Sequence, residues 1–213
     1  MAPVEKGPLW RDLMFILRRY LDVAAPVLSS MRLFQLTKEQ AVRDPLTRCH
    51  NRRFLDEYIQ QYELLSQRHE KRVGFLMIDL DFFKQVNDQY GHQTGDSVLQ
   101  EIAMVIKDSI RKSDLLVRYG GEEFLVLLLE IDSNTTDVVA EKVRFAVEKH
   151  QFELPGGVTL RKTISIGISE YPRDADMFYK AIKYADVALY EAKQAGRNRV
   201  VRFEPAMWTK QEY

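Results

Sequence analysis

Leu115-Leu116-Val117-Arg118-Tyr119-Gly120-Gly121-Glu122-Glu123-Phe124-Leu125-Val126-Leu127-Leu128-Leu129 sets two glycines and two glutamates between apolar runs suited to β-strands. A glycine pair supplies the positive backbone angles of a tight hairpin turn. The stretch therefore reads as a hairpin over 115–119 and 122–129 whose tip carries carboxylates.

Two adjacent glutamates can do no more than keep a strand end in solvent, so a functional reading needs a second element. Upstream, Val73-Gly74-Phe75-Leu76-Met77-Ile78 is apolar on both alternating faces and runs into Asp79-Leu80-Asp81-Phe82-Phe83-Lys84. That pattern fits a central strand covered on both sides, with its acids at the strand end, where such sheets place chemistry. If this strand lies beside the hairpin, Asp79 and Glu122 can share a divalent cation; hard oxygen ligands suit magnesium bound to substrate phosphates. Neighbouring strand residues face opposite ways, so Glu122 and Glu123 serve one site only if the tip departs from regular strand geometry.

Working outward, the pattern predicts helix at 51–69, strand at 73–79, and helices at 83–89 and 96–111. Helix at 135–149, a weak strand or loop at 151–160, strand at 161–169, helix at 175–194 and strand at 198–203 follow the hairpin. The fold class expected is α/β (α+β): a mixed, largely antiparallel central sheet flanked by helices. A helical extension precedes it over about 8–43, with Leu13, Leu17, Tyr20, Leu21, Ala24, Leu28 and Met31 at helical spacing. Pro26 predicts a kink, or two helices meeting near Ala25. The apolar stripe, with Trp10 and Phe34, packs either on the following domain or on a partner, and a dimerising stalk is the preferred reading. Asp44-Pro45-Leu46-Thr47 marks the boundary, because the residue before proline is pushed out of helical geometry. The division expected is a stalk or regulatory segment at 1–43, a main domain at 44–203 and a tail at 204–213 that Trp208 could anchor.

Lys and Arg total 31, as do Asp and Glu, so the balanced charge gives no support to nucleic-acid binding, and any anion site must be local. The single Cys49 excludes an intrachain disulfide, and Cys49-His50 lacks companions at metal-ligand spacing, which favours packing. No apolar run reaches the roughly 18 to 20 residues of a membrane span. Leu13-Met14-Phe15-Ile16-Leu17 is short for a signal sequence and meets Arg18-Arg19 at once. A cytoplasmic protein is expected. Neither a Walker-type phosphate loop nor a Gly-x-Gly-x-x-Gly is present, so a nucleotide would need another cradle.

Gly120-Gly121-Glu122-Glu123-Phe124 resembles the signature of the GGDEF family of diguanylate cyclases, and the likeness spans roughly Asp44 to Phe203. Asp44-Pro45-Leu46-Thr47 with Asn51-Arg52-Arg53 matches the family's opening. Asp79 to Lys84, Asn87-Asp88, Gly91-His92 and Gly95-Asp96 match its nucleotide segment. Tyr190-Glu191-Ala192-Lys193-Gln194-Ala195-Gly196-Arg197-Asn198 matches its close.

The resemblance implies a nucleotide-cyclase, polymerase-palm-like sheet that condenses two GTP into cyclic di-GMP and two pyrophosphates across a homodimer or higher homo-oligomer. It implies two magnesium ions per site, or manganese in their place, held by Asp79, Glu122 and the Leu80 carbonyl, with Glu123 activating the attacking hydroxyl or completing the metal shell. Phe82, Phe83 and Lys84 lie where strand gives way to helix, so backbone amides there can meet phosphate oxygens. The resemblance assigns Lys84, Lys193 and Arg197 to the triphosphate. It assigns Asn87 and Asp96 to guanine, although Asp96 alone also reads as a helix N-cap. Arg111-Lys112-Ser113-Asp114 resembles the inhibitory product site for cyclic di-GMP, with Lys142 where the family often has an arginine and Arg144 as a possible substitute. The N-terminal helices are the expected place for a regulatory protein. A rival reading, a non-catalytic effector that only binds cyclic di-GMP, predicts loss of the signature acids or phosphate-binding cations, and Glu122, Glu123, Lys193 and Arg197 are all present.

Overall fold

The computed structural model describes residues 8–69, 71–154 and 157–208, which form two compact units dividing between Ala41 and Val42. In the first, Pro26 sits inside one helix, α1 (Pro8–Val42), so the alternative of two separate helices is not realised. Leu13, Leu17, Tyr20, Leu21, Leu28 and Met31 are all exposed on it. Among the described residues no helix is long and apolar enough to cross a membrane.

The second unit runs α2 (Arg52–His69), β1 (Val73–Leu80), α3 (Phe83–Tyr90), α4 (His92–Ser109), β2 (Leu115–Arg118), β3 (Glu123–Leu129) and α5 (Thr135–Lys149). It continues with β4 (Phe152–Leu154), β5 (Val158–Leu160), β6 (Ile164–Tyr171), α6 (Phe178–Gln194), β7 (Val200–Arg202) and α7 (Pro205–Trp208). Five strands make one sheet in the order β2-β3-β1-β6-β7, antiparallel except for the parallel β6–β7 pair. Every residue of β1 is buried, as its two-sided apolar pattern requires. Leu76, Ile78 and Leu80 pack into a core with α4 and α5 residues such as Ile102 and Val143. Val73, Phe75 and Met77 pack with Leu55 of α2 and Phe178 and Ala185 of α6. Successive β1 side chains alternate between those layers, so Asp79 continues the odd-numbered set on the α6 side.

Gly167 fixes how closely α6 lies on the sheet. A Cβ there would sit 2.0 Å from the Ala185 carbonyl oxygen and 2.1 Å from the Leu189 nitrogen. Only glycine permits that approach, and α6 is the helix that carries Lys193.

Three local readings are corrected. The 96–111 helix begins earlier, at His92, because Gly91 (φ 81) ends α3 and opens α4 in one residue. Asp96 is consequently an exposed residue in the second turn of α4 and not its N-cap. The 161–169 strand runs instead from Ile164 to Tyr171 and takes in Glu170, which is 0% exposed. Arg72 (2.8 Å) and Arg202 (2.9 Å) each meet one of its carboxylate oxygens; burial pushes its pKa up, but the Thr136 hydroxyl together with Arg202 and Arg72 holds it below the ordinary value. The weak 151–160 segment resolves into a separate β4–β5 hairpin. Of the expected tail, 205–208 is a short helix, Trp208 lies beside Tyr184 at 5.3 Å between ring centroids, and 209–213 fall outside the described residues.

Candidate active site

The register of β1 with β3 sets Asp79 directly opposite Glu123. Cross-strand partners point to the same face, so both acids lie on the α6 side. β3 begins at Glu123, which leaves Glu122 in the preceding bend, outside the strict alternation of a strand. Its carbonyl accepts from the Leu80 amide at 3.4 Å, tying the bend to the end of β1. The departure from strand geometry that two neighbouring acids need is therefore present, and both glutamates lie within electrostatic reach of Asp79.

The glycine pair works differently from its expected role. Neither Gly120 nor Gly121 is among the described residues with positive φ. A Cβ on Gly120 would lie 2.3 Å from Glu123 Oε2, so its glycine makes room for a carboxylate folded beneath the loop. The Glu123 carbonyl accepts from the Tyr119 amide at 2.9 Å and the Gly120 amide at 3.3 Å, closing the loop without a primed turn.

Burial raises the pKa of Asp79, Glu122 and Glu123 above ordinary carboxylate values, and the Asp79 charge adds to the rise at both glutamates. Asp186, on the same face of α6 as Lys193, pushes Glu123 further the same way. Lys193 Nζ stands 2.8 Å from Asp79 Oδ2, and burial of Asp79 outweighs even that ion pair. Among the described residues no three Asp, Glu, His or Cys side chains converge as a complete metal cage. Self-repelling carboxylates that supply part of a shell do suit magnesium, which takes one or two carboxylates and fills its remaining positions with phosphate and water.

These raised values make a stability prediction. A carboxyl whose folded pKa exceeds its unfolded one is bound more tightly to its proton in the folded state, so stability falls as pH rises from the ordinary carboxylate value through the folded one. Glu123→Gln removes one such charge. In chelator at pH 7 it should raise the melting temperature by about 2 °C, and the gain should vanish as pH drops below the ordinary glutamate pKa. No gain at pH 7, or a larger one in acid, would contradict the electrostatic account.

The residues expected to meet phosphate gather near Phe82, which has left-handed backbone angles (φ 56, ψ 36) immediately before α3. Phe83 is buried and Lys84 exposed on the first turn. The Arg197 guanidinium stands 4.6 Å from the Phe82 ring centroid. Arg197 and Asn198 both have positive φ, and the Asn198 amide donates to Asp81 Oδ2 at 3.1 Å. Asp81, unassigned in the sequence reading, is only 2% exposed and also accepts from the Thr163 and Ser165 hydroxyls at 2.7 Å each. One carboxylate thus fastens the end of β1, the start of β6 and the loop carrying Arg197. Of the pair expected to read guanine, Asn87 Oδ1 lies 1.9 Å from where a Cβ on Gly95 would be. The α3–α4 crossing therefore brings Asn87 against the backbone next to Asp96.

The domain entry is tied to the signature loop. Asp44 Oδ1 accepts from the Thr47 amide and hydroxyl at 2.8 Å each and from Arg118 Nη1 at 3.0 Å, while Arg118 Nη2 donates to the Gly121 carbonyl at 2.7 Å. The motif read as a boundary marker is thus also a brace for the Gly-Gly loop. Cys49 is buried in the core, where burial raises its thiol pKa, and His50 stacks on Phe54 at 3.6 Å.

Arg111 and Asp114 lie together on the wall of a cavity of about 970 Å³ that Arg43, Arg48 and Lys107 also line, and none of Asp79, Glu122 or Lys193 borders it. Asp114 accepts from the Arg111 amide (2.8 Å) and the Leu129 amide (3.2 Å), which fixes the turn. Lys142 donates to the Ser109 carbonyl at 2.9 Å, at the end of α4. Arg144 is engaged by Glu141, Glu148 and Asn198.

A family profile described as "Diguanylate cyclase, GGDEF domain" matches residues 41–199. The chain belongs to the GGDEF family. Diguanylate cyclase A of Treponema denticola is 37% identical to it over 185 residues, 87% of this chain and 49% of that protein. The chain therefore spans about half the length of that curated relative. Among solved structures, the coiled coil and GGDEF domain of DgcB from Caulobacter crescentus in complex with c-di-GMP superposes with a TM-score of 0.80 at 27% identity, covering 88% of this chain and 98% of that one. Diguanylate cyclase SiaD of Pseudomonas aeruginosa, in complex with its activator SiaC, gives a TM-score of 0.73 at 37% identity, covering 91% and 74%. In this GGDEF domain the signature bend lies beside the end of β1.

Proposed function

We infer that this chain condenses two GTP molecules into cyclic di-GMP, with release of two pyrophosphates, at a site completed by a second copy of the domain. The observation that carries the reading is the register placing Asp79 opposite Glu123, with Glu122 in the adjoining bend, in a chain of the GGDEF family. In each condensation the 3′-oxygen of one GTP bonds to the α-phosphorus of the other, the bond from that phosphorus to the pyrophosphate oxygen breaks, and the hydroxyl proton passes to a base. Two such steps close the ring.

Asp79, Glu122 and the Leu80 carbonyl would hold two magnesium or manganese ions, which supply charge neutralisation and polarise the phosphorus when bound. Glu123, whose proton affinity is raised by burial and Asp79, is placed to take the hydroxyl proton. The Phe82 and Phe83 amides, Lys84, Lys193 and Arg197 would receive phosphate oxygens. Asn87 and Asp96 face the guanine edge. The remaining catalysis is positioning, because one domain holds one GTP and two must meet face to face.

The exposed apolar residues of α1 support a role for residues 1–43 in pairing the domains, and make that helix the place for a regulatory protein. Pyrophosphate release from GTP is expected to rise more steeply than in proportion to protein concentration once residues 1–43 are removed, because mass action replaces the tether. Equal activity per molecule across a hundredfold dilution, with the full chain monomeric throughout, would contradict the pairing.

Cyclic di-GMP is also the ligand we assign to Arg111, Asp114 and Lys142, in a cytoplasmic enzyme restrained by its own product. Arg111→Ala should weaken cyclic di-GMP binding about tenfold or more by calorimetry and raise late turnover. Unchanged affinity would place the inhibitory site elsewhere.

A further inference from the structure

We propose that Lys162 is an additional phosphate-binding residue of this site, forming with Arg197 a two-cation clamp about Phe82 for the terminal phosphates of the nucleotide. The proposal rests on the triphosphate reading above and adds to it a residue that no sequence motif marks. Lys162 lies in the link from β5 to β6, immediately before Thr163, whose carbonyl accepts from the Asp81 amide at 3.0 Å and whose hydroxyl donates to the Asp81 carboxylate. The backbone beside Lys162 is thereby pinned to the end of β1.

The Lys162 ammonium donates to the Phe82 carbonyl at 3.2 Å and stands 5.9 Å from the Phe82 ring centroid, while Arg197 is 4.6 Å from the same ring. Phe82 itself is 51% exposed and left-handed at the start of α3, an expensive arrangement for an aromatic residue and one found mostly where function requires it. An ammonium has three donors, and among the described residues only one is used. Burial lowers the Lys162 pKa, opposed by the Asp81 and Glu122 charges, and the contact its ammonium makes is to a neutral carbonyl. A half-buried cation held by a neutral group, beside a helix start that itself favours anions, has its counter-charge supplied by phosphate.

The experiment is equilibrium binding of two probes to the full chain with magnesium: a GTP analogue bridged by methylene between its α- and β-phosphorus, and GMP. The wild-type protein is expected to prefer the analogue at least about tenfold, and absence of that preference would overturn both the triphosphate site and the clamp. Given the preference, Lys162→Gln should weaken the analogue about five- to tenfold and GMP less than about twofold, with Lys162→Arg near wild type for both. Equal weakening of both probes would reduce Lys162 to a fastener for Phe82, and unchanged analogue affinity would remove it from the site. Either outcome overturns the clamp and leaves the triphosphate reading standing.

Discussion

Glu122→Ala is expected to fold normally and lose roughly 10²- to 10³-fold in turnover, the scale for deleting one electrostatic contact to a developing phosphate charge. The fold should tolerate the change because Glu122 lies half-exposed in a bend, and the bend's tie to β1 uses its backbone carbonyl, which alanine retains. Glu123→Gln should reduce turnover by roughly 10²- to 10⁴-fold if its carboxylate takes the hydroxyl proton. The pair is informative because the same Glu123→Gln substitution should stabilise the metal-free protein. A residue retained for folding would show the opposite combination. Near-wild-type product formation by folded Glu122→Ala would remove it from the metal site, and less than a threefold loss in Glu123→Gln would make that carboxylate a bystander.

Gly167→Ala should be the most damaging small substitution for the fold. Its added methyl meets the Ala185 carbonyl and Leu189 nitrogen, which are helix backbone and cannot rotate aside. We expect a loss of about 3 kcal/mol, or a fall of about 6 to 12 °C in melting temperature. Activity should fall further than stability alone requires, since any outward shift of α6 draws Lys193 away from Asp79. Thermal unfolding checks this directly, and a melting temperature within about 2 °C of wild type would show that the helix packs with slack.

Much of this architecture is legible in local pattern. The two-sided apolar run of β1 and the acids at its end place the central strand and the site together, and the Gly-Gly-Glu-Glu stretch gives the adjacent hairpin. What escapes local pattern depends on partners distant in sequence. Glu170 reads as the far side of a strand end, yet Arg72 and Arg202 carry the strand past it by neutralising it inside the fold. Gly120 reads as a turn former, whereas its missing side chain makes space for Glu123. Asp81 reads as one more acid in a run, but its partners at 163, 165 and 198 make it the fastening between β1, β6 and the loop carrying Arg197. Lys162 falls at the start of the expected 161–169 strand with nothing to mark it as a ligand, and the folding of the β5–β6 link onto Phe82 is what brings it to the Phe82 carbonyl.

The most direct measurement is mass analysis of the products formed when the purified chain is incubated with GTP and magnesium, with pyrophosphate counted in the same reaction. Cyclic di-GMP is expected, with two pyrophosphates for each molecule formed, and Glu122→Ala should form it roughly 10²- to 10³-fold more slowly. A chain that binds cyclic di-GMP but leaves GTP intact at concentrations where it is dimeric would contradict that function.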